Sequence, residues 1–256
     1  MALLVLLLGA VFLLPLVLWN GTLWHTDAAA IPMALLLGVF YALALSGLFK
    51  AFSLAPVSVV GPLTSGYPAL VVIWGLLHGV NPGALQWLAI ILILAGAVIV
   101  GRCGPDDGGF AVVAKNKIGM VLASSAVAAT CFAASIIVGQ RATLHLGDIE
   151  TTFVSRFPAA VLVFAMVRLG EPPLAINRPS GMWKAVAAMA LSDVVAVTSV
   201  NASTYFPDKE LGAMGICAYG PLSVLWAMIF LKEKVSATQW LGILMISGGV
   251  ASLAIS

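Results

Sequence analysis

Long apolar stretches recur along the whole sequence, and each is close to the length that a helix needs to cross a bilayer, about 20 residues. Reading apolar runs between polar residues, glycines and prolines gives nine segments: about 2–19, 31–50, 55–77, 85–101, 117–139, 151–168, 183–203, 210–231 and 238–255. Only 9% of the 256 residues are charged, whereas a soluble domain carries roughly a quarter. The predicted fold class is therefore all-α: a polytopic membrane helical bundle of about nine transmembrane helices in the lipid bilayer.

Composition and spacing exclude several classes of protein. Nine spans leave no room for a soluble enzyme or a nucleic-acid-binding domain, and twelve basic residues against ten acidic ones give no reason to expect nucleic acid as a partner. Cys103, Cys131 and Cys217 lie far apart, so the sequence predicts neither a disulfide framework nor a metal site, and no cofactor is expected. An integral-membrane enzyme would need clustered acidic or histidine side chains on its spans, and the sequence has no such cluster.

A polar loop near the middle divides the chain into two parts. Residues 102–116 include Gly, Pro and charged residues, the composition of a connection rather than of a span. This predicts a first domain over 1–101, the connecting loop over 102–116 and a second domain over 117–256.

The two parts are related by an internal repeat. Shifting the sequence by 153 residues aligns 68–101 with 221–254 without a gap. Nine positions coincide: Pro68/Pro221, Val71/Val224, Ala84/Ala237, Gln86/Gln239, Trp87/Trp240, Leu88/Leu241, Ile90/Ile243, Ile93/Ile246 and Gly96/Gly249. Internal duplication in a polytopic protein is typical of secondary transporters built from two related halves.

The second copy of the repeat resembles a known family. Glu233 lies in a short turn, and Gln239-Trp-Leu-Gly242 follows it at the start of the last span. This pattern resembles the EamA-type repeat of the drug/metabolite transporter superfamily, which also often has an Arg at the position of Arg156. The resemblance implies two inverted five-helix repeats around a central cavity, normally ten helices.

The first half departs from this pattern at two positions and lacks one helix. Val80 stands where the second half has Glu233, and Ala89 stands where it has Gly242. The first of the ten helices is either missing or encoded upstream of Met1. Membrane orientation is also left open. Nine basic residues on one side against three on the other place the N-terminus inside, whereas the family pattern with its first helix deleted predicts the opposite.

Two ionisable residues inside spans are the first candidates for function. An Asp or Arg at the centre of a membrane helix costs at least about 2.5 kcal/mol on the insertion scale, so such residues suggest a role. Asp193 lies in the middle of 183–203, where it could couple a proton, bind a substrate amino group, or be a structural carboxyl that is protonated or paired with arginine. Arg156, about five residues into 151–168, could bind a carboxylate or pair with Asp193, but extension to the membrane interface is the favoured interpretation.

Segment 55–77 is predicted to be broken by its prolines and glycines, Pro56, Gly61, Pro62, Gly66 and Pro68. Polar and aromatic residues within or beside the broken spans complete the candidate substrate pathway. These residues are Tyr41, Trp74, Asn201, Tyr219 and Trp226. The sequence thus predicts an integral, multi-pass protein of the plasma membrane. Its expected activity is secondary active transport of a small-molecule substrate, as an exporter, by alternating access with the site between helices 55–77 and 210–231. A coupling proton is a candidate partner, and a homodimer stays open. The alternative is a non-transporting or degenerate membrane scaffold.

Overall fold

The computed structural model describes residues 2–21, 30–65, 67–102, 115–169, 182–206 and 237–255, together with the isolated positions 216, 222, 225, 228 and 229. Throughout these ranges the regular structure is helical, which confirms the all-α prediction. Nine α-helices lie within them: α1 Ala2–Asn20, α2 Ile31–Phe52, α3 Val57–Ser65, α4 Pro68–Leu77, α5 Ala84–Arg102, α6 Lys115–Leu146, α7 Asp148–Leu169, α8 Met182–Ala202 and α9 Ala237–Ile255. A 3₁₀ turn, Ser203–Tyr205, extends α8.

The described helices agree with a multi-pass membrane protein. Five of them are long and apolar enough to cross a membrane: α1, α2, α6, α7 and α8 with its 3₁₀ extension. Three shorter apolar helical stretches, Pro68–Leu77, Ala84–Ile99 and Trp240–Gly249, overlap the spans predicted at 55–77, 85–101 and 238–255. The predicted span at 210–231 lies almost wholly outside the described residues.

The predicted break in segment 55–77 divides it into two helices. Helix α3 ends at Ser65, and α4 begins at Pro68, whose fixed φ suits the first turn of a helix. Between them Tyr67 donates its backbone N–H to the Thr64 carbonyl, and its ring stacks on Phe132 at a centroid distance of 5.1 Å. The chain interruption is therefore held by neighbouring protein groups, as irregular backbone at membrane depth requires.

Helix α7 buries most of its polar side chains and exposes several of its large apolar ones. Its buried residues include Glu150, Thr152 and Arg156, whereas Val161 is 68% exposed and Phe157 is also exposed. A soluble helix buries its apolar face instead. The reversed pattern is explained by lipid, which solvates apolar side chains and leaves the polar ones to pair within the protein.

The described chain forms two compact units, and α2 and α6 each contribute residues to both. The first unit comprises Met1–Leu45 and Ala134–Pro207. Within it α1 packs against both α7 and α8, and α7 packs against α8. Small buried residues at these contacts, such as Ala159 and Ala190, let the helix backbones approach closely.

The second unit comprises Ser46–Ala133 and Asp208–Ser256. Its main described contact joins α5 and α9, through a cluster that includes Ile90, Ile93, Ile243 and Ile246. Helix α3 also packs on α5.

Reciprocal contacts relate α5 and α9. A Cβ added at Gly96 would lie 2.7 Å from the Gly242 carbonyl oxygen and 2.8 Å from Ile246 Cγ1. A Cβ added at Gly249 would lie 2.9 Å from the Ala89 carbonyl oxygen and 2.6 Å from Ile93 Cγ1. These six residues pair in opposite order along the two helices, so α5 and α9 run antiparallel.

The residue numbers of these contacts follow the internal repeat. Gly96, Ile93 and Ala89 align with Gly249, Ile246 and Gly242 under the 153-residue shift, and each glycine meets the counterparts of the residues that the other glycine meets. Residue 89 is alanine whereas residue 242 is glycine, but each makes its contact through its backbone carbonyl oxygen. The contact therefore does not depend on which of the two residues is present.

Candidate functional site

The buried polar side chains of the first unit lie mainly along α7 and α8. Helix α7 contributes Glu150, Thr151, Thr152, Ser155 and Arg156, and α8 with its 3₁₀ turn contributes Asn201 and Thr204. The contacts of these two helices pair the start of α7 with the end of α8. The polar residues therefore form a seam between two antiparallel spans.

An ion pair between α7 and α8 lies at the end of this seam that is farther from the start of α7. Arg156 Nη1 lies 2.5 Å from Asp193 Oδ2, and the two side chains are 2% and 19% exposed. The Tyr41 hydroxyl donates a hydrogen bond to Asp193 Oδ1, and the Arg156 guanidinium carbon lies 5.6 Å from the centroid of the Tyr41 ring. Thus three of the predicted pathway residues, from α2, α7 and α8, meet at one place.

The position of Arg156 corrects the favoured interpretation of the sequence. Extension of this side chain to the membrane interface is wrong, because the guanidinium is buried and paired with Asp193. Helix α7 begins at Asp148 rather than near 151, which places Arg156 eight residues, or about 12 Å, from the start of the helix. The alternative of an Asp193–Arg156 pair is the one that the structure has.

Two glycines allow the helices around this cluster to approach. At Gly38 on α2, one turn before Tyr41, an added Cβ would overlap the Ser155 carbonyl oxygen and lie 2.6 Å from Pro158 Cγ. At Gly9 on α1, an added Cβ would lie 3.6 Å from both Nε and Cζ of Arg156. Close contact of α2 with α7 brings Tyr41 to the ion pair, and the absence of a side chain at Gly9 lets α1 pack closely against the guanidinium.

Asn201 lies farther along the same seam. Its Nδ2 donates to Thr152 Oγ1 at 2.9 Å, while the Thr152 hydroxyl donates to the Asp148 carbonyl. A Cβ added at Gly139 on α6 would lie 2.7 Å from Asn201 Oδ1. Asn201 is therefore a buried residue of α8 that donates a hydrogen bond to α7 and packs against Gly139 of α6.

The remaining candidates are not in the described part of this cluster. Trp74 lies on α4 in the second unit, where its ring packs against the tilted ring of His78 at a centroid distance of 4.1 Å. Tyr219 and Trp226 lie outside the described residues.

Sequence reasoning missed Glu150, which is 3% exposed. Asn20 Nδ2 lies 3.5 Å from its Oε1, and a Cβ at Gly147 would lie 2.6 Å from its Oε2. Gly147 has φ +87°, a left-handed conformation that favours glycine at the end of a helix. The missed signal was this Gly followed by Asp148 and Glu150, since acidic residues mark the first turn of a helix.

The chemistry available to the cluster follows from its donors and acceptors. Asp193 accepts hydrogen bonds from Arg156 and Tyr41, and a carboxylate held in this way can exchange its partner for a proton or a substrate cation. Arg156 stays protonated in proteins and can bind anions. Among the described residues, no group of three or more His, Cys, Asp or Glu side chains is placed to hold a metal ion.

Comparison with known proteins gives a family and a fold. The family model described as "EamA-like transporter family" matches residues 1–102 and 117–255. No curated protein matches the chain. A solved structure described as "Crystal structure of protein" is 19% identical and covers 99% of this chain and 86% of its own, with a TM-score of 0.76. At that identity the likeness shows the fold alone.

Proposed function

This chain belongs to the EamA-like transporter family, and we propose that it is a secondary active transporter that exports a small metabolite by alternating access. Members of the family are integral, multi-pass membrane proteins that transport small molecules across the lipid bilayer. The proposal adds the direction of transport, its energy source and its mechanism.

The observation that carries the proposal is the buried ion pair between Arg156 and Asp193. Charged groups inside spans are expensive and mark ion or substrate pathways. Asp193 is the more exposed partner, at 19%, so a proton can reach it more easily than it can reach Arg156. Binding of a proton at Asp193 would release Arg156 and Tyr41, which belong to α7 and α2, and so connect proton binding to helix movement.

The energy source is proposed to be an ion or substrate gradient. The sequence contains no Gly-x-x-x-x-Gly-Lys motif for binding a nucleotide phosphate. Coupling to a proton is the simplest form, because Asp193 is a titratable group within a span.

The movement is proposed to involve two inverted repeats, 1–101 and 117–256, connected by 102–116. The contacts that Gly96 makes with α9 and Gly249 makes with α5 support this, because the two sets of contacts are equivalent under the repeat. A two-fold axis perpendicular to two antiparallel helices produces such a pair of equivalent contacts. Asn201, Trp74, Tyr219 and Trp226 stay proposed pathway residues beside Asp193, Arg156 and Tyr41. We assign the protein to the plasma membrane, where an exporter acts.

The alternative, a scaffold without transport, gains no support from the ion pair. Well-packed apolar residues of similar volume stabilise a protein as much as a buried salt bridge, or more. A protein with only a structural role would therefore have no physical need for charges at this depth.

The test is untargeted profiling of extracellular metabolites from cells that express the wild type, Asp193→Asn or Asp148→Asn. Asp148→Asn is the matched control, because that carboxyl group lies on α7 outside the ion pair. We expect one class of compound to accumulate outside cells with the wild type and with Asp148→Asn, but not with Asp193→Asn. Blots and thermal midpoints check that the three proteins are present and folded.

Two results would count against this proposal. Equal accumulation with the wild type and a folded Asp193→Asn would leave export intact and remove Asp193 from the mechanism. Profiles that match those of cells with an empty vector would contradict export itself.

A further inference from the structure

The hydrogen-bond donors of Arg156 are only partly used. A guanidinium carries five N–H donors, one on Nε and two on each terminal nitrogen. Nη1 donates to Asp193 Oδ2, but Nε and Nη2 are buried and have no acceptor among the residues that the structure describes. The side chain as a whole is 2% exposed.

The two nitrogens without an acceptor form a geometric unit. The N–H of Nε and one N–H of Nη2 lie side by side along one edge of the planar guanidinium and point in the same direction. Such a fork binds the two oxygens of a carboxylate or phosphate through parallel hydrogen bonds. Leaving buried charged donors without acceptors is unfavourable, so this edge is suited to an anion.

We propose that the Nε–Nη2 edge of Arg156 binds a carboxylate group of the transported molecule. This inference rests on the proposed transport function and adds the chemical class of the substrate. Asp193 and Tyr41 then hold the opposite part of the guanidinium and fix the orientation of the fork.

Charge favours a carboxylate over a phosphate at this edge. Arg156 and Asp193 carry opposite charges, so an added carboxylate leaves one net negative charge in the cluster, whereas a phosphate leaves up to two. Each uncompensated charge away from water is costly.

Gly9 of α1 lies beside the guanidinium of Arg156. A Cβ at this position would lie 3.6 Å from Nε and from Cζ, and 3.1 Å from Val194 Cγ2. Gly9→Ala therefore narrows the space beside the guanidinium without removing any hydrogen bond of the Arg156–Asp193 pair. This gives a second variant that tests the site.

The experiment measures which metabolites the purified protein retains. The full chain in lipid nanodiscs is equilibrated with a small-molecule extract of the expression host and washed, and the retained compounds are identified by mass spectrometry. Arg156→Lys keeps a positive charge but lacks the fork. Arg168→Lys, an exposed residue on the same helix, is the matched control. Empty nanodiscs give the background.

We expect the wild type and Arg168→Lys to retain compounds that carry a carboxylate, and the primary amides of these compounds to fail as competitors. Retention by Arg156→Lys should fall about tenfold or more, as expected for the loss of a bidentate charged contact. If Arg156→Lys does not fold, as judged by its elution and thermal midpoint, Gly9→Ala is the variant that tests the inference. Its retention of compounds with a carboxylate should also fall.

Other results would overturn the inference. These are retention of compounds without a carboxylate, equal competition by the amides, unchanged retention by folded Arg156→Lys, or no retention above empty nanodiscs. Because binding is measured without transport, retention of carboxylates together with no export in cells would reject the proposed function alone. Export of compounds without a carboxylate would reject only this inference.

Discussion

At the scale of single residues, Arg156 and Asp193 differ in how they tolerate loss of their partner. Arg156 cannot lose its proton in a protein, whereas a carboxyl group can become neutral by gaining one. The pair lies within α7 and α8, where water is scarce. Substituting Arg156 alone and substituting Asp193 alone should therefore destabilise the protein by different amounts.

Removing one partner should destabilise the protein by about 3–5 kcal/mol, because it leaves an uncompensated buried charge. We expect Asp193→Leu to destabilise the protein more than Arg156→Met does. The double variant should lose less free energy of unfolding than the sum of the two single losses. Thermal midpoints of the purified variants in nanodiscs measure this; additive effects would contradict it.

The Tyr41 hydroxyl contributes separately from the ring. Tyr41→Phe keeps an aromatic ring near Arg156 and removes the hydrogen bond to Asp193. We expect a loss of about 1.5–3 kcal/mol in the free energy of unfolding, the range for hydrogen bonds to charged groups. Tyr41→Leu, which removes the ring as well, should lower the thermal midpoint further. Equal midpoints for the wild type and Tyr41→Phe would mean that the hydroxyl contributes nothing.

At the scale of helices, glycine controls how closely two spans approach. At Gly249 an added Cβ would meet Ile93 Cγ1 at 2.6 Å and the Ala89 carbonyl oxygen at 2.9 Å, while at Gly248 it would meet nothing within 4 Å. A backbone oxygen cannot move aside as a flexible side chain does. Two adjacent glycines of α9 therefore have different roles, one in packing against α5 and one facing outward.

Alanine substitutions separate these roles. Gly249→Ala should destabilise the protein by about 1–3 kcal/mol, as overpacking does. Gly248→Ala should be neutral or stabilising by up to about 1 kcal/mol, since alanine is the better helix former. Thermal midpoints of the two purified variants measure the difference. A lower midpoint for Gly248→Ala than for Gly249→Ala would contradict the α5–α9 contact.

At the scale of the whole molecule, lipid determines which surfaces are tolerated. Val161 lies in the middle of α7 and is 68% exposed, and Leu169 lies at its end and is 88% exposed. In a soluble protein both positions would accept a lysine with little effect. Within a bilayer only the position at the helix end allows the ammonium to reach the interface.

Val161→Lys should therefore reduce membrane insertion, at a cost of about 2.5–3.5 kcal/mol, whereas Leu169→Lys should cost much less. The fraction of protein that resists alkaline extraction from membranes reports the insertion of each variant. Equal insertion of the two would mean that α7 does not cross the bilayer as proposed.

Properties that depend on neighbouring residues in the sequence could be predicted without the structure. The apolar lengths predicted the helices, and the prolines and glycines of 55–77 predicted the break between α3 and α4. Asp193 was found because a carboxyl group inside an apolar span is unusual wherever its neighbours lie. Glu150 was missed because the start of α7 was set three residues too late, which left this carboxyl group in a loop.

The all-helical membrane class, the approximate spans, the internal repeat and the likeness to the EamA-like family could be predicted from the amino-acid sequence, because these depend on composition and on spacing along one chain. The pairing of Arg156 with Asp193 and its contact with Tyr41, in place of extension to the interface, could be found only from the packed helices. Arg156 and Asp193 are 37 residues apart in sequence, and their contact depends on how α2, α7 and α8 pack. That packing is set by close approaches such as Gly38 against Ser155, which the apolar pattern of a single span does not encode.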